Sequence, residues 1–316
     1  MQQIDRHGAC AGAEIPASRA VLASAADSEP YVPIRLRDGR MLVRLEVGNA
    51  DGPAVIHCHG GGSSRLEALF FEEAADRLGA RFLCVDRPGI GRSDPHPGAR
   101  LVDWADDVRE LADQLQLERF AVLGMSSGAP FALACARRLA DRITGCGLIS
   151  GLPPPQMVER YGPLWMRAAW GLARRVPGAS RATVRLALGD SPRSPRAVEV
   201  QVRATMMMMS KAERRAFSAP GIRAQLTRAI VQHYRLGGQG GRDDLALVTR
   251  PWGLDLDRLS PPVLRLWHGE LDRIVPCRLA RAFAGSLRGC EASYFEGEGH
   301  FSLLFNRADE ILREMI

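Results

Sequence analysis

The sequence feature that most constrains the fold is the segment at residues 124–128, Gly-Met-Ser-Ser-Gly, which lies between an apolar run and a helix-prone segment. The pattern predicts a buried strand, a sharp turn with a serine at its apex, and then a helix. The apex residue of such a turn has a strained backbone, and side chains two positions before and after it would collide. Gly124 and Gly128 lack a Cβ, so Ser126 rather than Ser127 is the candidate nucleophile.

Strand-like and helix-like segments alternate along most of the chain. Residues 31–37 and 41–47 alternate in polarity around Asp38-Gly39, which predicts a β-hairpin. The other predicted elements are strands at residues 54–58, 81–85, 120–123, 142–149, 263–267 and 292–295, and helices at residues 66–78, 101–117, 129–139, 277–287 and 302–316. A hairpin followed by this alternation predicts an α/β fold, in which helices cover both faces of a mostly parallel sheet.

The alternation stops between residues 151 and 261, where helical segments are separated by Pro and Gly and no strand is predicted. This stretch is too long for an ordinary connection. We therefore expect a helical cap, formed by residues 151–261, inserted into a core formed by residues 31–150 and 262–316. Residues 1–30 contain scattered charges and lack the apolar middle of a secretory signal, so we expect a poorly ordered N-terminal extension.

Charge and cysteine content limit the functions that the chain can have. The net charge is +6, but Lys211 is the only lysine, and no zinc-finger spacing or aromatic-basic motif indicates nucleic-acid binding. The seven cysteines show no short paired spacing, which argues against a disulfide framework or zinc site and favours the reducing cytoplasm. No apolar run reaches the roughly 18 to 20 residues that cross a bilayer, so no membrane partner is expected.

A serine hydroxyl needs a neighbouring base to attack a carbonyl at neutral pH, and the base needs a carboxylate to orient it. His300 follows the last predicted strand in a glycine-rich loop, and loops after the carboxyl ends of parallel strands share one edge of the sheet. Glu270 and Asp272 follow the strand at residues 263–267, whereas the strand before it ends without an acid. Asp272 lies deeper in the loop and is the predicted orienting acid, which gives the chain order Ser126, Asp272, His300.

Acyl transfer also needs hydrogen-bond donors for the oxyanion of the tetrahedral intermediate. Gly60, Gly61 and Gly62 form a predicted turn after the strand at residues 54–58, where the backbone can approach a substrate closely. The amides of Gly61 and Ser127 are the predicted donors. This chemistry requires neither a metal nor an organic cofactor, and none is predicted.

The predicted cap is strongly basic and has an apolar side. Fifteen basic and four acidic side chains lie between residues 159 and 235. A solvated arginine-rich surface would explain this excess; alternatively, the cap attracts an anionic or carrier-bound acyl substrate. Trp165, Met207 and Met208 are candidates for the wall of a pocket that holds a medium-sized hydrophobic acyl or ring group.

Five segments resemble the motifs of the α/β-hydrolase superfamily, and in particular those of lid-bearing bacterial serine hydrolases and esterases. They are His59-Gly60-Gly61-Gly62, residues 86–93, residues 124–128, residues 268–272 and Gly299-His300. The resemblance implies an eight-stranded sheet with an antiparallel second strand, and a lid between the sixth and seventh strands. The sequence departs from the subgroup at Gly62, where a proline is common.

The combined interpretation is a serine hydrolase that cleaves a carboxylic ester, or else a thioester or lactone, of a small-molecule substrate. Two alternatives stay open. One is the same triad used for carbon–carbon cleavage, or for acyl transfer or cyclisation in a biosynthetic pathway; the other is a non-catalytic small-molecule receptor. Dehalogenases and epoxide hydrolases of this fold carry Asp in place of Ser126, and the scarcity of acids in the cap argues against an iminopeptidase. The sequence does not predict the oligomeric state.

Overall fold

In the computed structural model, which describes residues 27–175, 194–259 and 261–316, eight strands form a single sheet. The strands are β1 Val32–Arg35, β2 Met41–Gly48, β3 Ala54–Cys58, β4 Arg81–Asp86, β5 Phe120–Met125, β6 Ile143–Ile149, β7 Leu264–Gly269 and β8 Glu291–Phe295. Their order in the sheet is β1-β2-β4-β3-β5-β6-β7-β8. The second strand, β2, runs antiparallel to β1 and β4, and all the other pairs are parallel. The predicted eight-stranded, mostly parallel sheet is confirmed.

The described helices connect successive parallel strands, and one helix follows the last strand. In the core they are α1 Glu72–Leu78, α2 Trp104–Gln114, α3 Ala129–Arg138, α10 Cys277–Ser286 and α11 Ser302–Arg313. Between β6 and β7 they are α4 Pro155–Tyr161, α5 Leu164–Arg175, α6 Pro195–Met208, α7 Lys211–Ala216, α8 Pro220–His233 and α9 Gln239–Thr249. We call this second group, with its connections, the helical insertion. None of the helices formed by the described residues has both the length and the apolarity to span a membrane.

The central strands are buried on both faces, which explains why their sequences are continuous apolar runs. Every residue of β3 and β5 is buried. Alternate side chains point to opposite faces. Thus Ile56 and Val122 belong to the cluster beneath α2 and α3. Val55 and Leu123 belong to the cluster beneath α1 and α11.

The helical insertion packs over the edge of the sheet at which the parallel strands end. Val198, Val202 and Met206, four residues apart on α6, form an apolar cluster against Phe301 and Phe305 of the core. Two buried arginines of the core also reach the insertion, as Arg65 donates to Gln232 (2.9 Å) and Arg87 to Asp244 (2.9 Å). The insertion therefore covers the loops in which the functional residues are predicted.

The structure differs from the sequence prediction mainly at the ends of elements. The helix expected at residues 66–78 is divided into a short 3-10 turn, Arg65–Phe70, and α1. The break lies at Phe71, which is fully buried and stacks on Phe82 with ring centroids 4.3 Å apart. Residues 27–30 of the predicted extension are described, and Asp27 and Glu29 form ion pairs with arginines of the insertion. Residues 1–26 lie outside the described residues.

Candidate active site

Ser126 lies at the apex of a sharp turn between β5 and α3, with a φ of +51°. The glycines on either side of it are required by close backbone contacts. A Cβ at Gly124 would lie 2.6 Å from the carbonyl oxygen of Gly128, and a Cβ at Gly128 would lie 2.0 Å from that of Cys58. The turn therefore fits tightly against the end of β3 and holds the serine in the left-handed region, which L-residues seldom adopt.

His300 and Asp272 come together in the loops that follow β8 and β7. The Nδ1 atom of His300 lies 2.7 Å from Oδ2 of Asp272, and both side chains are buried. The other carboxylate oxygen, Oδ1, accepts hydrogen bonds from the amides of Ile274 (2.7 Å) and Val275 (2.8 Å). Both oxygens of Asp272 are thus fixed, and the imidazole ring is fixed with them.

The second acid of the same loop lies elsewhere. Glu270 forms an ion pair with Arg281 at 2.6 Å, and both side chains are partly exposed. A surface pair of this kind contributes little free energy because water screens it. The geometry thus places Asp272, and not Glu270, beside the imidazole.

The electrostatics of the pair favour a charged imidazole and a charged carboxylate. Burial disfavours protonation of His300, but the charge of Asp272 and its hydrogen bond outweigh burial and raise the pKa of the imidazole above its usual 6.5. Burial likewise disfavours ionisation of Asp272, but His300, His268 and the Val275 amide lower the pKa of the carboxyl below its usual 3.8. The arrangement is suited to an imidazole that gains a proton during a reaction.

His268, at the end of β7, supports the carboxylate from its other side. Its Nε2 lies 2.8 Å from the carbonyl oxygen of Val275 and 3.4 Å from Oδ2 of Asp272. Burial lowers the pKa of this imidazole below its usual value. A neutral His268 that donates to the Val275 carbonyl fills the space beside Asp272 without adding a second positive charge.

The segment after β6 links the serine turn to the histidine loop, a role that the sequence did not reveal. The amide of Leu152 donates to the carbonyl oxygen of Ser126 (3.0 Å). The hydroxyl of Ser150 donates to the carbonyl oxygen of His300 (3.1 Å). Ser150 is fully buried and has a φ of +47°, the same unusual region as Ser126. Two residues of one segment, Ser150 and Leu152, therefore bond to the backbones of His300 and Ser126.

The predicted oxyanion residues lie next to each other. A Cβ at Gly61 would lie 3.0 Å from Oγ of Ser127, so the two loops are in contact. The loop is held from beneath by Glu67, whose carboxylate accepts the Gly60 amide (3.0 Å) and bonds Nε2 of His57 (2.7 Å). No sequence pattern indicates this role for Glu67, because its partners depend on how the 3-10 turn folds back on β3.

An apolar cavity of about 110 Å³ lies beside this loop, between the core and the helical insertion. The residues that define it include Gly61, Phe70 and Phe301 from the core, and Val198, Val202 and Met206 from α6. The described residues of the insertion that line it include no arginine. The described basic side chains of the insertion therefore lie outside the lining of this cavity.

Two of the three predicted pocket residues, Trp165 and Met207, lie away from this cavity. Trp165 is 59% exposed and Met207 is 78% exposed, and neither lines it. On α6 the inward positions are 198, 202 and 206, so the helical spacing turns Met206 inward and Met207 outward. The side chain of Met208 lies outside the described residues.

Residues 53–307 match the family described as "alpha/beta hydrolase fold". The chain belongs to the α/β-hydrolase family. A proline iminopeptidase from Neisseria meningitidis serogroup A is 31% identical to it over 138 residues, which are 42% of this chain and 42% of that protein. The chain thus spans about two fifths of the length of this curated relative.

Solved structures agree with the fold over nearly the whole chain. An esterase from Exiguobacterium antarcticum has a TM-score of 0.66 at 18% identity, with 89% of this chain and 97% of that chain covered. A thermophilic esterase from Thermogutta terrifontis has a TM-score of 0.63 at 23% identity, with 90% of this chain and 97% of that chain covered. At these identities the similarity establishes the fold.

Proposed function

We propose that this protein is a serine hydrolase that cleaves a carboxylic ester through an acyl-enzyme. The observation that carries the proposal is the 2.7 Å contact between His300 Nδ1 and Asp272 Oδ2, in a loop joined through the 150–152 segment to a serine at φ +51°. A nucleophile, a base and an orienting acid on three strand ends are the parts that acyl transfer requires. The two similar esterases share this fold.

In the proposed reaction His300 acts through Nε2, because its Nδ1–H donates a hydrogen bond to the Asp272 carboxylate. Nε2 takes the hydroxyl proton of Ser126 as Oγ bonds to the ester carbon, and the amides of Gly61 and Ser127 hold the resulting oxyanion. Collapse of this intermediate breaks the bond to the alcohol, which leaves with the proton from His300. Water then adds to the acyl-enzyme with His300 as the base, and the acid product and free Ser126 are released.

The proposed substrate has a small apolar group, which the cavity beside Gly61 would hold. Its volume of about 110 Å³ is less than that of a roughly 150 Å³ apolar cavity that binds benzene. Its walls are formed largely by apolar side chains such as Phe70, Val202 and Met206. We therefore propose a short acyl chain, smaller than the medium-sized group expected from the sequence.

A peptidase activity, which the name of the iminopeptidase relative raises, is less compatible with the site. Binding of a substrate amine would need an uncompensated carboxylate in the pocket. Glu67 lines the cavity, but its carboxylate is bonded to His57 and to the Gly60 amide. The described insertion residues that line the cavity contribute no carboxylate, so an ester is the better substrate.

Labelling with a fluorophosphonate tests the proposal directly. We expect covalent labelling of the wild type at Ser126, no labelling of Ser126→Ala, and continued labelling of Ser127→Ala, which keeps its backbone amide. Mass spectrometry of the labelled peptide separates the two adjacent serines. Hydrolysis of p-nitrophenyl acetate and butyrate with an initial burst would accompany labelling. Labelling without ester turnover, but with cleavage of a diketone, would favour carbon–carbon hydrolysis, and the absence of labelling would favour a receptor.

A further inference from the structure

A carboxylate from the helical insertion reaches the backbone that immediately follows His300. Glu213, on α7, is 1% exposed. Its Oε1 accepts the amide of Phe301 (2.9 Å) and its Oε2 accepts the amide of Ser302 (3.2 Å). These amides begin α11, where the helix itself provides no acceptor. A carboxylate here also interacts favourably with the positive end of the helix dipole.

The loop is shaped to admit this side chain. A Cβ at Gly299 would lie 2.1 Å from Oε1 of Glu213, so any residue other than glycine before His300 would displace the carboxylate. On the insertion side, Ser210 accepts the amide of Glu213 (3.3 Å) and fixes the first turn of α7. Glycine at position 299 and glutamate at position 213 are therefore mutually dependent, although 86 positions separate them.

We propose that Glu213 is a positioning residue, which couples the helical insertion to the base by fixing the backbone at residues 299–302 and by stabilising the imidazolium of His300. The inference rests on the proposed function, because it concerns the same histidine. Glu213 touches neither Ser126 nor the cavity. Its effect therefore passes through the peptide units on either side of His300 and through its charge.

Several ionisable groups near His300 influence the pKa of its imidazole. They are the carboxylates of Asp272, Glu213 and Glu67, all of which favour the protonated ring. The imidazole of His268 also lies nearby and would disfavour the protonated ring only in its charged form, which burial opposes. Burial raises the pKa of Glu213 itself above its usual 4.5, although His300 and the Phe301 amide oppose that increase. Removing the charge at 213 leaves Asp272 in place and withdraws one of three favourable contributions.

The loop has other supports, so loss of Glu213 is expected to shift it rather than unfold it. The hydroxyl of Ser302 accepts the Gly299 amide (2.8 Å) and donates to Glu298 (2.7 Å). The carbonyl of His300 still accepts from Ser150. A variant at position 213 therefore separates positioning of His300 from formation of the loop.

Two variants and one matched control test the proposal. Glu213→Gln keeps the size of the side chain but removes its charge and one amide acceptor. Gly299→Ala keeps the glutamate but displaces it. Glu199→Gln, on α6, removes the same charge from a side chain that is partly exposed and paired with Arg203, so it controls for a change of charge in the insertion.

The measurements are the ¹H–¹³C NMR titration of His300, with the signal assigned by its loss in His300→Asn, and kcat and KM for a short p-nitrophenyl ester. We expect Glu213→Gln to move the His300 titration to lower pH and reduce kcat about tenfold, with KM changed less than twofold. Gly299→Ala should reduce kcat in the same direction, and Glu199→Gln should change neither quantity. An unchanged titration and unchanged kcat in a folded Glu213→Gln protein would overturn the inference; a lower melting temperature alone would mean a purely structural cap.

The titration needs no substrate, so the two proposals can fail separately. If no ester is hydrolysed but the His300 titration still moves in Glu213→Gln, the ester proposal fails and the positioning role stands. If the wild type hydrolyses esters but neither the titration nor kcat changes in Glu213→Gln, the ester proposal stands and the positioning role fails. If Glu213→Gln does not fold, Gly299→Ala decides: a His300 titration and kcat equal to those of the wild type would contradict the inference.

Discussion

The hydroxyl of Ser150 donates a hydrogen bond to the carbonyl oxygen of His300, with an oxygen–oxygen distance of 3.1 Å. Two residues later, the Leu152 amide donates to the carbonyl of Ser126. The strand that lies between the nucleophile strand and the acid strand supplies no charged residue to the site. It instead ties together the backbones that carry the base and the nucleophile.

Replacement of Ser150 tests this link. In Ser150→Ala the His300 carbonyl loses a buried donor, and such a loss costs about 1–3 kcal/mol of unfolding free energy. We expect a decrease of this size in urea denaturation and a several-fold decrease in kcat. Ser218→Ala is the matched control, because its hydroxyl also donates to a carbonyl, that of Arg215, but on the surface. Its stability should change by less than about 0.5 kcal/mol.

The pH dependence of activity should follow His300. A base must be neutral to accept a proton, and the pKa of this imidazole is raised above 6.5, so kcat/KM should fall as the pH decreases through a midpoint above that value. The effect on stability has the opposite sign. Protonated His300 contributes stability that is fully present below about 6.5 and is lost as the pH rises through the raised pKa.

Asp272→Asn removes the main cause of that raised pKa. We expect the midpoint of the kcat/KM profile to move to lower pH and kcat to fall by about 10⁴-fold, the loss typical of an orienting acid in a serine triad. Glu270→Gln is the control from the same loop, since Glu270 pairs with Arg281 at the surface. A pH profile equal to that of the wild type in Asp272→Asn, or a large loss in Glu270→Gln, would contradict the assignment.

The sequence was sufficient to predict the fold because its signals are local. Buried parallel strands are continuous apolar runs, and turns require glycine where backbone segments approach closely, as at Gly124 and Gly128. Asp272 and His300 could be proposed from their positions after strands, since strand ends share one edge of a parallel sheet. These are properties that a single segment carries by itself.

The supporting residues could not be found in this way, because their roles are defined by distant partners. Ser150 contacts a carbonyl 150 positions away, and Glu213 contacts amides 88 and 89 positions away. The sequence likewise does not show which of four consecutive methionines faces the interior. Packing against Phe301 and Phe305, and not the residue type, decides that Met206 faces inward and Met207 does not.

The tight contact at Gly128 predicts an unusually large effect of a small substitution. Gly128→Ala would place a methyl group 2.0 Å from the Cys58 carbonyl oxygen, and backbone on either side cannot move away easily. We expect a loss of more than about 3 kcal/mol in unfolding free energy, or no folded protein. Gly285→Ala in α10 is the control, because nothing lies within 4 Å of the added methyl group and alanine favours a helix. It should stabilise the protein or leave it unchanged.

The cavity between α6 and the oxyanion loop predicts how acyl-chain preference will respond to mutation. Val202→Phe fills a space of about 110 Å³ with a larger side chain, so a butyryl group should be excluded more strongly than an acetyl group. We expect the ratio of kcat/KM for p-nitrophenyl butyrate to that for acetate to fall about tenfold or more, since each methylene in such a pocket is worth about 1–3 kcal/mol.

Met207→Phe, on the same helix, is the control. It tests the prediction from the sequence that Met207 lines the substrate pocket. Met207 is 78% exposed and should tolerate the change with an unaltered ratio, because its side chain points away from the cavity. A loss of butyrate preference in Met207→Phe with none in Val202→Phe would mean that the acyl group lies against the outer face of α6. The leaving alcohol provides a further check. If the cavity holds the acyl group, varying the alcohol at constant acyl length should change kcat/KM by the same factor in both variants.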